Sequence, residues 1–172
     1  DTSFGVPDSK ISRVLHMPEN AIYKRAVNPR KFKSFSACGG AFSTLEDLAI
    51  FGQMFLNKGT YNGVRILSKA TVASMTRNQI PGVSSLYNGL LFKEATWGLG
   101  WCIHGDKKDE GGILRSPSAY SHSGAGCSFL FVDPEYEIVL SSFITTMNYS
   151  FGYNPLRRFD ILVDATIGAI AD

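Results

Sequence analysis

A chain of 172 residues that is 44% hydrophobic, 12% aromatic and 19% charged has enough apolar side chains for one globular core and is not a disordered tract. The formal charge of +2 is too small to draw the whole molecule to phosphate. No apolar run approaches the roughly 20 residues of a bilayer-spanning helix, so neither a nucleic-acid partner nor a membrane span is expected.

The sequence opens Asp1-Thr2-Ser3-Phe4 without an initiator Met or an apolar signal core, which reads as a piece of a longer polypeptide and leaves the compartment undetermined. Cys38, Cys102 and Cys127 are odd in number and far apart, so they suit neither a disulfide framework nor a zinc site and are expected as small buried side chains.

Residues 1–40 contain Pro7, Pro18 and Pro29 and show no sustained period, which predicts an irregular surface segment. The five Lys and Arg between Lys24 and Lys33 read as a solvated face rather than a binding patch. After Gly39-Gly40, Ser43 with Glu46 has the form of a capping box. Leu45, Leu48, Ala49, Gly52, Phe55 and Leu56 then fall on one helical face, and Gly59 stands where a left-handed cap belongs, predicting a helix over 44–58. Asn62-Gly63 marks a tight turn before the apolar run 64–67, and Ser68 is placed to cap a second helix through Val72 and Met75 that ends near Asn78.

From Trp97 the pattern becomes extended. Trp97-Gly98-Leu99-Gly100-Trp101-Cys102-Ile103 alternates large with small residues and reads as a strand, and 105–112 reads as an exposed loop. Runs at 119–124, 127–132 and 138–144, with a turn at Asp133-Pro134-Glu135, predict buried strands of an antiparallel meander. Asn154 and Pro155 suit a helix start, and Leu156, Phe159, Leu162 or Val163, Thr166, Ile167 and Ile170 form an apolar stripe expected to cover one face of the sheet. The predicted class is α+β: an antiparallel sheet of three or four strands with a C-terminal helix, preceded by a helical segment, as one domain with a loop and helical part at 1–96 and the sheet at 97–172.

Two of the three histidines, His16 and His104, have no second ligand at metal spacing and read as structural or surface residues. His122 differs because it lies in Tyr120-Ser121-His122-Ser123-Gly124-Ala125-Gly126, where a strand becomes glycine-rich and backbone N–H groups gain access to a ligand. Ser123 beside His122 suggests a nucleophile and its base, yet neighbours on a strand point to opposite faces, so a direct bond between them needs a break in the strand. The heptapeptide alone is equally compatible with a polar strand end and no site.

Taken in order, Gly39-Gly40-Ala41-Phe42-Ser43-Thr44-Leu45-Glu46-Asp47-Leu48, the Trp97 to Trp101 pentapeptide, His122-Ser123-Gly124-Ala125-Gly126 and the following strand with Asp133-Pro134 resemble the serine β-lactamase-like superfamily. The branch they look most like is that of class C β-lactamase-related proteins, with its carboxylesterases, D-alanyl peptidases and penicillin-binding-protein-like hydrolases. The resemblance covers nearly the whole chain and sets Asp1 just after the family's second motif. It implies that His122-Ser123-Gly124 is the third motif, a variant of Lys-Thr-Gly. His122 would then serve the proton network, Ser123 would donate to a substrate carbonyl or carboxylate, and Gly124 would leave room for the substrate. The Ala125 N–H would be one of two oxyanion donors, a contribution of about 3 kcal/mol in such sites. Trp97 and Trp101 are expected as scaffold residues. No metal and no organic cofactor are implied.

Two family motifs are missing. None of the nine lysines has Ser three residues before it, so Ser-x-x-Lys is absent, and Tyr61-Asn62, Tyr87-Asn88 and Tyr153-Asn154 lack the intervening residue of Tyr-x-Asn. No Gly-x-Ser-x-Gly elbow replaces them. The expectation is the C-terminal half of a serine hydrolase, inactive alone and sharing a small acyl substrate with a missing N-terminal half. An exposed sheet edge would favour a homo-oligomer or swapped dimer. The rival reading is a non-catalytic binding or assembly module on the same scaffold, and a third is an unrelated α+β protein, for which Gly124 would lie away from any cleft.

Overall fold

The computed structural model describes residues 1–15, 39–87, 90–107, 111–124, 128–144 and 157–170. In chain order the elements are β1 (Ser3–Phe4), a 3-10 helix (Asp8–Arg13), β2 (Ala41–Phe42), α1 (Leu45–Leu56), β3 (Thr60–Tyr61), β4 (Val64–Arg65), α2 (Lys69–Met75), β5 (Ser85–Tyr87), β6 (Leu90–Phe92), β7 (Cys102–Ile103), β8 (Tyr120–Ser123), β9 (Ser128–Asp133), β10 (Ile138–Phe143) and α3 (Arg157–Gly168). The architecture is α+β, as the sequence predicts.

The centre is a four-stranded antiparallel sheet in the order β10-β9-β8-β7. Its meander follows the three predicted apolar runs. The register opposes Tyr120 to Val132 and His122 to Leu130, with Val139 facing Val132 from the other side. Side chains alternate across a strand, so Tyr120, His122, Leu130, Val132 and Val139 share one face. Ser121, Ser123, Phe129, Phe131 and Leu140 share the other. The β9–β10 turn is organised by Asp133, a fully buried carboxylate. It accepts from Ser116 N–H at 2.8 Å, Ser116 Oγ at 2.6 Å and Glu135 N–H at 3.0 Å, bonds that offset the cost of burying its charge.

α1 covers the Tyr120 face. Its cap is Thr44 rather than Ser43: Thr44 Oγ1 accepts from the Asp47 N–H at 3.1 Å, while Ser43 Oγ lies 2.7 Å from Thr2 Oγ1. The residue immediately before the first helical one takes the capping geometry, and Thr is competent there. The Asp47 carboxyl is held below its ordinary 3.8 by hydrogen bonds from the Asp1 ammonium and then the Thr2 hydroxyl, which tie the first residues to the start of α1. Gly52 lets the helix approach the sheet, since a Cβ there would lie 2.6 Å from Val139 Cγ1. Phe55 and Met54 are buried, the latter outside the predicted stripe, whereas Leu45 at its start is exposed. Gly59, at φ +95°, closes the helix by donating its N–H to the Met54 carbonyl, and Asn62 and Gly63, both at positive φ, turn β3 into β4 as expected.

α2 is capped by Ser68 but stops at Met75, short of Asn78. The reason lies in residues 97–101, which form a tight loop where a strand was expected. The Met75 carbonyl accepts from Leu99 N–H at 2.9 Å, and the Trp97 carbonyl accepts from Gln79 N–H at 2.7 Å, so the chain after α2 is diverted onto this loop. Gly98 N–H donates to the Trp101 carbonyl, and a Cβ on Gly98 would collide with the Met75 carbonyl oxygen. The alternating glycines serve a turn and a close backbone approach, not a pleat, and only Cys102–Ile103 joins the sheet.

Three further expectations change. Residues 1–40 are not wholly irregular, because Ser3–Phe4 pairs with Ala41–Phe42 and Asp8–Arg13 is a 3-10 helix. The β5–β6 hairpin was not predicted. The 105–112 loop is only partly exposed: Gly111 and Gly112 are buried, and Gly111 N–H donates to Asp160 on α3 at 2.7 Å. The basic stretch 24–33, Cys38, Cys127 and the start of the last helix at Asn154, Pro155 and Leu156 lie outside the described residues. Cys102 is half-buried rather than buried, with Lys107 Nζ 3.6 Å from its Sγ.

α3 covers the second face of the sheet along the predicted stripe as far as Ile167, whereas Ile170 falls beyond the end of the helix and is exposed. Phe159 and Val163 are fully buried, and Phe159 stacks on Phe129 with centroids 4.3 Å apart. No helix among the described residues is long and apolar enough to cross a membrane.

Candidate active site

On the α1 face, where β8 runs into β9, the sheet, α1, the end of α2 and the 97–101 loop enclose a cleft of about 320 Å³. Leu48, Phe51, Met75, Leu99 and Trp101 supply its apolar wall, and His122 and Gly124 stand at its polar side. Trp101 is the floor, 3% exposed, packed edge-to-face on Phe55 and on Tyr120, each with centroids 4.9 Å apart. Burial pushes the Tyr120 phenol well above its ordinary range, because the charged form cannot be hydrated there.

The predicted residues do not all meet. His122 is exposed on the α1 face at the cleft. Ser123, its neighbour on β8, pairs with Phe129 on the strand ladder and belongs to the opposite face, so the two do not form a hydrogen-bonded dyad by strand geometry. Gly124 does line the cleft. Its N–H donates to the Ser128 carbonyl at 2.8 Å, and a Cβ there would meet Ser128 Oγ, so a larger residue would have to displace that hydroxyl. This position argues against the third reading, in which Gly124 lies away from any cleft. Ala125 and His16 lie outside the described residues. His104 is structural, as expected: it is fully buried, with Nε2 3.0 Å from Ser121 Oγ.

Trp101 is a buried core residue that also floors the cleft, whereas Trp97 stands outside the cleft lining and bridges to Cys102 through its backbone. Trp97 is 40% exposed, and its indole meets the His122 imidazole with centroids 6.0 Å apart at 79°. Sequence reasoning also missed the apolar wall. Phe51 flanks the predicted α1 stripe, three residues after Leu48 and four before Phe55, and that excess of apolar width was the available signal.

The family model for β-lactamases matches residues 1–164. The chain belongs to the β-lactamase family. Among curated members, a Salmonella typhi protein named for D-alanyl-D-alanine carboxypeptidase is 30% identical over 129 residues, covering 70% of this chain and 27% of its own length. Among solved structures, a β-lactamase from Mycobacterium bovis superposes with a TM-score of 0.62 at 26% identity, over 75% of this chain and 45% of that one. A penicillin-binding-protein homologue from Caulobacter crescentus superposes with a TM-score of 0.65 at 20% identity, over 99% of this chain and 48% of that one, which speaks to the fold alone. The chain thus spans about a quarter of the matched Salmonella protein and just under half of the two solved ones.

Proposed function

We propose that this chain is the C-terminal half of a serine-nucleophile acyl hydrolase of the β-lactamase family, carrying the third active-site motif. In this reading a serine oxygen from the other half attacks the carbonyl of an ester, a D-alanyl peptide or a β-lactam. The oxyanion is held by backbone N–H groups that include Ala125; its collapse breaks the bond to the alcohol or amine, which takes up the serine proton, and water then hydrolyses the acyl-serine ester to give the acid and the free serine. His122 serves the proton network at the cleft mouth, Gly124 borders the substrate, and no metal or organic cofactor takes part. The observation that carries the reading is the joint placement of His122 and Gly124 at one apolar-walled cleft, in a chain of this family without Ser-x-x-Lys.

Intact-mass spectrometry after incubation with a reactive penicillin, and separately with a fluorophosphonate, tests it. This chain alone is expected to show no adduct. A stoichiometric adduct on Ser123 would overturn the half-site reading. In a longer polypeptide bearing Ser-x-x-Lys the serine is expected to be labelled, and His122→Ala to lower turnover by about 10²-fold or more, the usual scale of proton-transfer catalysis. A longer polypeptide that binds the same acyl compounds without labelling supports the non-catalytic module instead.

The same reading bears on assembly. The outer edge of β10 has no strand partner among the described residues, and unpaired strand edges recruit other chains. The isolated chain is accordingly proposed to form a homodimer or swapped assembly. Light scattering that finds a compact monomer at high concentration would refute this.

A further inference from the structure

Trp97 is held where core packing does not account for it. The residue before it, Thr96, has φ +50°, a left-handed conformation that is an outlier for a β-branched side chain. Two bonds to Ile103 fix it there: Thr96 Oγ1 donates to the Ile103 carbonyl at 2.6 Å, and the Thr96 carbonyl accepts from Ile103 N–H at 2.9 Å. Trp97 then forms a β-bridge with Cys102, its carbonyl accepts from Gln79 N–H, and Gly98 is wedged on the Met75 carbonyl. A backbone so heavily constrained ends in an indole left 40% exposed, and among the described residues the ring that indole meets is His122.

His122 needs such a neighbour. It sits near the end of β8, exposed, and no hydrogen bond from another described residue orients its imidazole. Its cleft side is open, so without a backing surface the ring would sample several rotamers, and a proton-transfer group must be held in one productive geometry.

We infer that Trp97 is a positioning residue for His122: the strained turn at Thr96 presents the indole edge-to-face to the imidazole and fixes that ring at the mouth of the cleft. The meaning for turnover rests on the acyl-hydrolase reading of His122, whereas the ring contact itself does not.

The test is NMR of this chain, with the His122 imidazole protons assigned by their loss in His122→Asn. The wild-type spectrum should show cross-relaxation between Trp97 indole protons and His122 ring protons, and His122 ring shifts displaced from those of free imidazole by the indole ring current. In Trp97→Leu the His122 signals should move to the free-imidazole position, while in Trp97→Phe they should stay displaced. The buried His104 signals should hold still in both, reporting an intact fold. Absence of cross-relaxation in the wild type, or His122 shifts unmoved by Trp97→Leu, would overturn the inference whatever the activity. Ring contact confirmed alongside full turnover of His122→Ala in a longer polypeptide would sink the hydrolase role of His122 and leave the positioning intact.

Discussion

The two faces of the central sheet are built to different standards of closure. On the α3 face Phe129, Phe131, Phe159 and Val163 are almost wholly withdrawn from water, and the polar groups among them, His104 with Ser121 and Asp133 with Ser116, are paired. On the α1 face the deep layer of Phe55, Trp101 and Tyr120 is equally well packed, but above it Phe51, Leu99 and His122 remain substantially exposed around a cleft. Strand β8 contributes to both, and its strict alternation separates a structural serine on one side from the site histidine on the other. A single strand therefore carries packing residues and cleft-facing ones in alternation.

The comparison makes measurable demands. Phe159→Ala removes a ring from the closed face and should cost about 3–5 kcal/mol in denaturant unfolding, the range for a large cavity in a core. Phe51→Ala on the open face should cost no more than about 1 kcal/mol, the scale of an aromatic pair; equal costs would erase the distinction. Gly98→Ala drives a methyl group into the Met75 carbonyl and should destabilise by about 1–3 kcal/mol while disordering the cleft wall, seen as lost near-ultraviolet circular dichroism.

Tyr120 gives a pH test of the deep layer. Its folded value is raised above the ordinary 10.0 by burial, so the neutral phenol is favoured in the native state. The stability linked to it is whole below that ordinary value and declines as pH rises above it, because the unfolded chain ionises first. Thermal unfolding should thus fall off in alkali for the wild type and less steeply for Tyr120→Phe. The smallest effect belongs to the helix start, where Thr44→Ala should cost about 1 kcal/mol and Ser43→Ala less, reading out which residue caps α1.

Much of the scaffold was legible because it is local. The β8–β10 meander shows in apolar runs and a turn at Asp133, α1 and α2 in their caps and stripes, and the β3–β4 turn in Asn62-Gly63. What failed was non-local or degenerate. Ser3–Phe4 pairing with Ala41–Phe42 leaves no periodic trace in two-residue strands. The glycines at 98 and 100 mimic alternation while serving a turn. His122 and Gly124 could be singled out from one heptapeptide, but their cleft could not, since its wall comes from α1, α2 and a loop that meet only after folding. The contact of Trp97 with His122 was hidden for the same reason: the two lie 25 residues apart in the chain, and nothing in the intervening sequence predicts it.

Asp160 and Asp164 stand four residues apart on α3 and accept backbone N–H groups of a segment some fifty positions earlier, Gly111 and Gly112 going to the first, Ile113 and Leu114 to the second. The loop between β7 and β8 is therefore anchored by the last helix as well as by its own bonds, among them those from Arg115 to the Lys107 and Gly112 carbonyls. Four backbone N–H groups of this segment depend on α3 for their acceptors, so its order gauges whether that helix has docked. Loss of the final helix should be felt first not at the chain's end but at its middle.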